Sequence, residues 1–365
     1  MNRVRVLIVD DSAVVRRMLT DILSAEPDLE VVGSAPNAAI ARSRFETVKP
    51  DVVTLDVELP DGSGLDLLSE FRKKAPLLPI VMFSSLTQRA AATTLDALAR
   101  GASDYVTKPS QVGSREEAIE HVRSHLVAKV RALTSRRRLP AAAPTSSVRP
   151  AARPNPAGGR IDLIAIGSST GGPNALADVF KALPGNLPCP VVIVQHMPPV
   201  FTKLLADRLS ATCPIQVREA AQGEVLVPGK AYIAPGDFHM RLAKDGEKHR
   251  IVLDQSAPEN SCRPAVDVLF KSIPPLFGAR ALGVILTGMG QDGLIGVQQM
   301  RAAGAQIVVQ DEATSVVWGM PGAVARAGAA DVIVPVTEVG DEIVRRVLAG
   351  RAARPPLSRE QGDVR

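Results

Sequence analysis

The sequence has few aromatic residues, few cysteines and no long apolar run. Aromatic residues make up 3% of the 365 positions, which argues against binding of single-stranded nucleic acid by base stacking. The three cysteines show no metal-binding or redox spacing, and their odd number without a secretory signal favours a reducing, cytoplasmic location. Because no apolar run approaches the roughly 20 residues needed to cross a bilayer, we expect a protein that is not inserted in a membrane.

Charge is unevenly distributed along the chain, whose formal net charge is +5. Residues 131–159 contain no acidic residue, and prolines there alternate with alanine, serine and arginine. Such a composition cannot bury a core, so it predicts a flexible linker between two domains, at residues 1–130 and 160–350. We prefer this interpretation to a nucleic-acid-binding segment, and we expect no nucleic-acid partner. Residues 351–365 are expected to form a disordered tail.

The first domain alternates apolar strands with amphipathic helices. The predicted strands are residues 4–9, 29–33, 51–55, 80–83 and 104–107. This rhythm is typical of a doubly wound parallel α/β sheet, here flavodoxin-like, whose ligand site lies outside the carboxyl ends of the strands. A helix over residues 116–133 would close the domain.

Polar residues follow these strands at the edge where ligands bind. Asp10, Asp11 and Asp56 bring three carboxylates together, which is unfavourable unless a divalent cation neutralises them. Oxygen ligands in a partly open site suit Mg²⁺. Lys108 supplies a cation opposite the carboxylates, and Ser84 supplies a hydroxyl that can donate to a phosphoryl oxygen. The sequence therefore predicts a site for Mg²⁺ and phosphate.

Together with the turn Leu59-Pro-Asp-Gly-Ser-Gly64, these residues resemble the receiver domain of bacterial two-component response regulators over residues 4–126. The resemblance implies that Asp56 accepts a phosphoryl group from a histidine kinase. The other implied roles are Mg²⁺ binding by Asp10, Asp11 and Asp56, a switch pair formed by Ser84 and Tyr105, and phosphate sensing by Lys108. Tyr105 also has a simpler interpretation, as a half-buried packing residue.

The second domain begins with a buried strand and a small-residue turn. Residues 163–166 have the length and β-branched content of a strand, and Pro173 suits the first turn of a helix. Between them, Gly167-Ser-Ser-Thr-Gly171 fits the nucleophile-elbow pattern with Ser169 at its centre. A turn of this kind also fits a phosphate cradle, so the motif alone leaves both interpretations open.

Two later strands end in residues that complete a catalytic set. His196 follows the predicted strand 190–195, and Asp292 follows the strand 281–286. A serine, a histidine and an aspartate at one sheet edge predict a triad, which is recognised by geometry rather than by order. The order here departs from that of the α/β-hydrolases, in which histidine comes last. Backbone N–H groups of Thr170 and Met289 are the candidate oxyanion donors.

Simpler interpretations of single residues stay open. Asp292 fits a turn or a helix N-cap, and His196 fits a half-buried histidine whose hydrogen bonds are satisfied. His239 is a rival base, and Ser168 is a rival nucleophile. Further strands at residues 306–309 and 331–334, with a last helix at 337–348, predict a second, Rossmann-like parallel sheet. Short segments and Pro-Gly turns in residues 216–263 predict a small antiparallel excursion.

Five motifs occur in order in this domain: Gly-Ser-Ser-Thr-Gly-Gly-Pro, Gln-His-Met-Pro, Ile-Ala-Pro-Gly-Asp-Phe-His-Met, Arg-Pro-Ala-Val-Asp-Val-Leu-Phe and Leu-Thr-Gly-Met-Gly-Gln-Asp-Gly. They resemble the protein-glutamate methylesterases of bacterial chemotaxis, which also deamidate glutamine. The resemblance implies Ser169 as nucleophile, His196 as base, Asp292 as orienting acid, and Thr170 and Met289 as oxyanion donors. The sequence departs from the common family pattern at Ser168, where alanine is frequent, and at Gln291, where asparagine is frequent.

These observations predict a monomeric, phosphorylation-regulated esterase of chemotactic adaptation. It would hydrolyse glutamyl methyl esters on methyl-accepting chemotaxis receptors, release methanol and deamidate receptor glutamines, with no cofactor for ester hydrolysis. The unphosphorylated receiver would cover the serine site. The alternative is a receiver that controls a phosphate- or nucleotide-binding α/β module. A DNA-binding regulator is disfavoured because no basic recognition helix follows the receiver.

Overall fold

A computed structural model describes residues 3–109, 114–138 and 159–352 of the chain. The predicted linker from residue 139 to 158, and the tail from 353 onwards, lie outside the described residues. No helix in these three segments has the length and apolar character required to span a bilayer.

The first domain is a parallel sheet with helices on both faces. Its strands are β1 (Val4–Val9), β2 (Leu29–Ala35), β3 (Val52–Asp56), β4 (Glu58–Leu59), β5 (Gly62–Ser63), β6 (Ile80–Ser84) and β7 (Asp104–Thr107). Its helices are α1 (Ala13–Ser24), α2 (Ala38–Val48), α3 (Gly64–Lys74), α4 (Gln88–Ala99) and α5 (Arg115–Arg138). The sheet order is β2-β1-β3-β6-β7, while β4 and β5 form a separate hairpin. The predicted doubly wound sheet is confirmed, and β3 and β6 are buried throughout because helices cover both faces.

Helix α5 extends further than the sequence pattern predicts. The linker was expected from residue 131, but the helix continues to Arg138. Ion pairs tie this part of the helix to the first domain: Arg131 Nη2 lies 2.6 Å from Asp28 Oδ1 and 2.7 Å from Glu26 Oε2. Ion pairs between residues that are distant in the sequence produce no apolar periodicity, so the sequence pattern did not predict the longer helix.

The second domain is also built on a parallel sheet. Its strands are β8 (Leu163–Ser168), β9 (Val191–Gln195), β10 (Gln216–Glu219), β11 (Lys230–Ile233), β12 (His239–Asp245), β13 (Lys248–Asp254), β14 (Ala281–Ile285), β15 (Gln306–Gln310) and β16 (Val332–Val334). Its helices are α6 (Gly172–Lys181), α7 (Phe201–Thr212), α8 (Val266–Lys271), α9 (Pro274–Phe277), α10 (Leu294–Ala302), α11 (Met320–Arg326) and α12 (Val336–Ala352), with a 3₁₀ turn at Gly278–Arg280.

The antiparallel excursion is smaller than expected. Among the strands described in the second domain, β12 and β13 form an antiparallel hairpin, to which Val225 adds an isolated bridge with Arg250. Strands β10 and β11 instead extend the parallel sheet, whose order is β10-β11-β9-β8-β14-β15-β16. Short β segments between Pro-Gly turns have the same local pattern in either arrangement, so only long-range pairing distinguishes them. The central strands β9, β8 and β14 lie side by side, and their carboxyl ends carry the catalytic candidates.

Candidate active site and receiver site

The acidic residues of the first domain converge as predicted. One carboxylate oxygen from each of Asp10, Asp11 and Asp56 lies within 4.8 Å of the others. Lys108 Nζ lies 2.7 Å from Asp56 Oδ2 and 3.0 Å from Asp10 Oδ2. Among the described side chains, Asp10 Oδ2 is a buried oxygen that accepts no hydrogen bond of good geometry. Three converging carboxylates in a partly open site are a donor set that Mg²⁺ prefers.

Asp56 is buried at the centre of this cluster. Burial, together with the negative charge of Asp10, raises the pKa of Asp56 to about 6, although the hydrogen bond from Lys108 opposes the shift. A bound Mg²⁺ would supply the positive charge that this group of carboxylates lacks, so the residues fit the cation implied by a receiver domain.

The two predicted switch residues lie in different surroundings. Ser84 Oγ is buried and accepts a 2.7 Å hydrogen bond from Thr94 Oγ1. The Tyr105 ring is buried and stacks on Phe201 of the second domain, with 4.7 Å between ring centroids and 8° between planes. No hydrogen bond joins Ser84 to Tyr105 in the described part of the chain. Tyr105 therefore lies at the domain interface, where a change in its position would alter its contact with Phe201.

Ser169 lies in the sharp turn between β8 and α6. Its N–H donates to Thr287 O (3.0 Å), and its carbonyl accepts from Gly172 N–H (2.7 Å). Gly171 caps α6 with φ of 77°, a left-handed conformation that glycine adopts without strain. Pro173 stands in the first turn of the helix, as expected. The turn leaves the Ser169 side chain partly exposed.

Gln195 holds this turn from the neighbouring strand. Its Oε1 accepts a hydrogen bond from Ser168 Oγ (2.7 Å), and its Nε2 donates to Ser169 O (2.9 Å). A Cβ atom at Gly172 would stand 1.9 Å from Gln195 Oε1, so only glycine leaves room for this contact. Ser168 is fully buried with its hydroxyl engaged, which removes it as a rival nucleophile.

His196 and Asp292 form a hydrogen-bonded pair, referred to below as the dyad. His196 Nε2 lies 2.8 Å from Asp292 Oδ2, and the His196 side chain is 13% exposed. Burial raises the pKa of Asp292, but hydrogen bonds from His196 and from two backbone N–H groups outweigh it and hold the pKa below its usual range. Burial lowers the pKa of His196, but the contacts with Asp292 and Cys262 outweigh it and raise the pKa to about 10.

Ser169 does not hydrogen-bond to the dyad in this arrangement. With Nε2 directed at Asp292, Nδ1 is the nitrogen left to receive a proton, and it lies 3.5 Å from Cys262 Sγ. The structure thus brings serine, histidine and aspartate to the ends of three adjacent strands and joins two of them directly. Catalytic hydrogen bonds are often formed only when substrate is bound, so this geometry is compatible with a triad.

The candidate oxyanion donors are available. Neither the Thr170 N–H nor the Met289 N–H donates a hydrogen bond within the described part of the chain. Gly288 brings the second loop close to the nucleophile, because a Cβ added there would stand 2.9 Å from Ser169 Cβ. Unpaired N–H groups on either side of a serine hydroxyl are suited to a developing oxyanion.

His239 is a structural residue rather than a rival base. It is fully buried, its Nε2 pairs with Ala257 O (3.1 Å), and its Nδ1 accepts from Ala265 N–H (3.3 Å). Both ring nitrogens are therefore engaged with the backbone, and neither is free to take a proton from a nucleophile.

The first domain packs directly against the serine turn. Thr170 Oγ1 donates a 2.7 Å hydrogen bond to Asp104 Oδ2, a buried carboxylate that also pairs with Lys129 Nζ at 2.9 Å. Asn174 Nδ2, in the first turn of α6, donates to Leu98 O (2.7 Å). The side chains of Met289, Val316 and Val317 pack against the core of the first domain. The residues beside the nucleophile thus touch the first domain.

Comparison with known proteins agrees with this arrangement. The CheB methylesterase family matches residues 164–343, and the response regulator receiver domain family matches residues 6–120. A protein-glutamate methylesterase/protein-glutamine glutaminase of Trichodesmium erythraeum is 48% identical over 351 residues, which cover 95% of this chain and all of the relative. A protein of the same description from Nocardioides sp. is 46% identical over 362 residues, 98% of this chain and 99% of the relative. This chain belongs to the protein-glutamate methylesterase/protein-glutamine glutaminase family.

A solved structure supports the same assignment for the second domain. The methylesterase catalytic domain of Thermotoga maritima CheB matches with a TM-score of 0.50 and 42% identity, covering 51% of this chain and 98% of that domain. The predictions of a receiver, a methylesterase domain and a hydrolase are confirmed. Family membership does not favour the alternative of a phosphate- or nucleotide-binding module.

Sequence reasoning missed several residues around the site. Gln195 and Asp267 lie within the motifs that carried the family resemblance, and Asn260 precedes one of them by three positions. The sequence signal that could have identified these three residues was a polar side chain within an apolar or turn-forming segment. Asp104, at the start of β7, was read only as part of a strand, although its carboxylate accepts a hydrogen bond from beside the nucleophile.

Proposed function

We propose that this protein hydrolyses γ-glutamyl methyl esters on methyl-accepting chemotaxis receptors and deamidates receptor glutamines, under the control of phosphorylation at Asp56. The observation that carries the proposal is the dyad of His196 and Asp292 at the same sheet edge as Ser169, with two unpaired N–H groups beside it. The activity of the relatives, as protein-glutamate methylesterases and protein-glutamine glutaminases, indicates the substrate chemistry.

The chemistry proceeds through an acyl-enzyme. Ser169 Oγ attacks the ester carbonyl carbon while His196 Nδ1 takes its proton, and Asp292 stabilises the imidazolium. The N–H groups of Thr170 and Met289 hold the oxyanion of the tetrahedral intermediate. The intermediate expels methoxide, which receives the proton from His196 and leaves as methanol. Water then attacks the acyl carbon with His196 as base, which frees the glutamate and returns the proton to Ser169.

The same steps account for deamidation. A glutamine side chain presents an amide in place of the ester, and its nitrogen leaves as ammonia after protonation by His196. The rest of the cycle is unchanged, because hydrolysis of the acyl-enzyme yields glutamate in both cases. One site therefore serves both reactions, and the ester hydrolysis needs no cofactor.

The receiver controls access to the serine turn. In the docked arrangement, Asp104 accepts a hydrogen bond from Thr170, Tyr105 stacks on Phe201 and Leu98 accepts from Asn174. The receiver therefore covers residues next to Ser169, and we expect it to obstruct the approach of a receptor helix. Phosphorylation of Asp56 by a histidine kinase, with Mg²⁺ held by Asp10, Asp11 and Asp56, adds charge at the strand ends and biases the receiver away from this face. In this proposal the protein acts as a cytoplasmic monomer, and Ser84, Tyr105 and Lys108 transmit the phosphorylation.

The test is the release of methanol from purified methylated receptor, with and without a small phosphodonor. The full chain should be slow alone and faster with the phosphodonor. Ser169→Ala should lower the rate by about three to six orders of magnitude, as in other triads. Ser168→Ala is the matched control and should retain most activity, because it removes the hydrogen bond to Gln195 Oε1 and leaves the bond from Gln195 Nε2 to Ser169 O in place. Activity of Ser169→Ala within tenfold of the parent would contradict the proposed nucleophile.

A further inference from the structure

A tight turn lies beside the dyad, between the β12–β13 hairpin and α8. Glu259 N–H donates to Cys262 O (3.1 Å), and Cys262 N–H donates to Glu259 O (2.9 Å). The two central residues, Asn260 and Ser261, both have left-handed φ values, of 53° and 60°. Asparagine tolerates this conformation better than most residues, which suits it to the first central position.

The side chain of Asn260 bridges two buried carboxylates. Its Nδ2 donates to Asp292 Oδ1 (2.8 Å) and to Asp267 Oδ2 (3.0 Å). Asp267 is fixed in turn, because its Oδ1 accepts a 2.7 Å hydrogen bond from Gly296 N–H at the start of α10. Asp267 and Asp292 are both nearly fully buried, so their mutual repulsion is weakly screened and a shared donor between them is stabilising.

We propose that Asn260 is a positioning residue for catalysis: it holds Asp292 Oδ1 so that Oδ2 faces His196 Nε2, with Asp267 as its fixed anchor. The inference rests on the proposed role of Asp292 in the triad. The other donors to Asp292 Oδ1 are the backbone N–H groups of Asp267 (3.1 Å) and Gly293 (2.9 Å). Asn260 is, apart from His196, the side-chain donor that the described residues offer to this carboxylate.

The orientation of Asp292 matters because its hydrogen bond selects the histidine tautomer. Only when Oδ2 accepts from Nε2–H does Nδ1 present a lone pair to the serine hydroxyl. Residues that orient metal-bound histidines from the outer shell typically contribute about 10- to 100-fold in activity, and by analogy we expect a loss of that size here. Because the Asn260 amide N–H group is engaged by the two carboxylates, we expect the loss to fall on kcat rather than on KM.

The test compares three variants of the phosphodonor-activated full chain. Asn260→Gly keeps the left-handed turn and deletes the amide, whereas Asn260→Asp keeps the shape of the side chain and deletes the donor. Ser261→Gly is the matched control, because it makes the same change at the exposed neighbouring position of the same turn. Kinetic constants for methanol release and the low-field proton NMR signal of His196 Nε2–H are measured for each, together with the thermal transition.

Both Asn260 variants should lose about 10- to 100-fold in kcat with KM within about twofold of the parent, and the His196 signal should shift or broaden. Ser261→Gly should resemble the parent in all three measurements. If Asn260→Asp keeps parental kcat, or if Ser261→Gly loses as much as Asn260→Gly, the amide has no positioning role and the inference is overturned.

Asp292→Asn separates this inference from the proposed function. If Asp292→Asn is inactive while both Asn260 variants are active, only the role of Asn260 is wrong. If Asp292→Asn is as active as the parent, the triad itself is wrong, and the positioning role falls with it. If Asn260→Gly alone has a lower thermal transition, its activity does not test the role of the amide. Asn260→Asp then decides the question, because its side chain has the same size as that of asparagine.

Discussion

The hydrogen bond between Thr170 Oγ1 and Asp104 Oδ2 should be a main determinant of repression in the unphosphorylated protein. It crosses the domain interface at 2.7 Å, is buried and involves a charged acceptor. A hydrogen bond to a charged group contributes about 1.5–3 kcal/mol. Asp104→Ala removes it from the docked arrangement, whereas Thr170 is satisfied by water once the domains separate. The substitution therefore shifts the docking equilibrium, and not the catalytic machinery, by this amount.

Because each 1.4 kcal/mol is about a factor of ten, Asp104→Ala should raise the unphosphorylated rate of methanol release by about 10- to 100-fold. The ceiling is the rate of a fragment that begins at residue 160 and has no receiver. The loss of the Lys129 partner occurs in both docked and free states, so it does not alter the equilibrium. Thermal unfolding and phosphorylation of the receiver are measured in parallel to confirm that the domain remains folded.

Asp96→Ala is the matched control at the same interface. The Asp96–Arg208 pair also joins the two domains, at 2.9 Å, but its side chains are 56% and 36% exposed. Exposed ion pairs contribute about 0–1 kcal/mol, so the rate should rise less than about fivefold. An unphosphorylated Asp104→Ala protein with a rate within twofold of the parent, or an equal gain in Asp96→Ala, would refute the role of the buried contact.

Three further predictions concern the site and its control. The pKa of His196 is raised to about 10, so the unprotonated base is scarce at neutral pH, and kcat/KM of the fragment that begins at residue 160 should increase with pH well above 6.5. Cys262→Ala removes a contact that raises this pKa and should move the increase to lower pH. An unchanged pH profile would show that Cys262 does not influence the pKa of His196. Gly172→Ala should reduce activity at least tenfold by displacing Gln195, since the new Cβ would stand 1.9 Å from Oε1. Gly159→Ala is the control, because its Cβ would meet Ala279 O at an ordinary 4.0 Å, and it should leave kcat within about twofold. Removal of Mg²⁺ with a chelator should abolish activation of the full chain by a small phosphodonor and leave the activity of the fragment unaffected. Activation that persists would show that a cation held by the acidic cluster is not required for phosphorylation.

The sequence alone was enough to predict the positions that we propose to carry the chemistry. Several apolar runs of the two sheets end at or shortly before a polar residue, and parallel strands bring such ends to one edge. That local pattern was sufficient to select Asp56 in the first domain and Ser169, His196 and Asp292 in the second. It was sufficient because strand length and side-chain type are properties of neighbouring residues, which a single sequence displays directly.

Tertiary structure decided how these residues are held and covered. The hydrogen bonds between His196 and Asp292, between Asn260 and Asp292 and between Thr170 and Asp104 join residues from 32 to 96 positions apart. The placement of β10 and β11 in the parallel sheet likewise depended on long-range pairing. A hydrogen bond between separate elements requires its donor and acceptor to be positioned to within a few tenths of an ångström. Neither periodicity nor composition encodes that positioning.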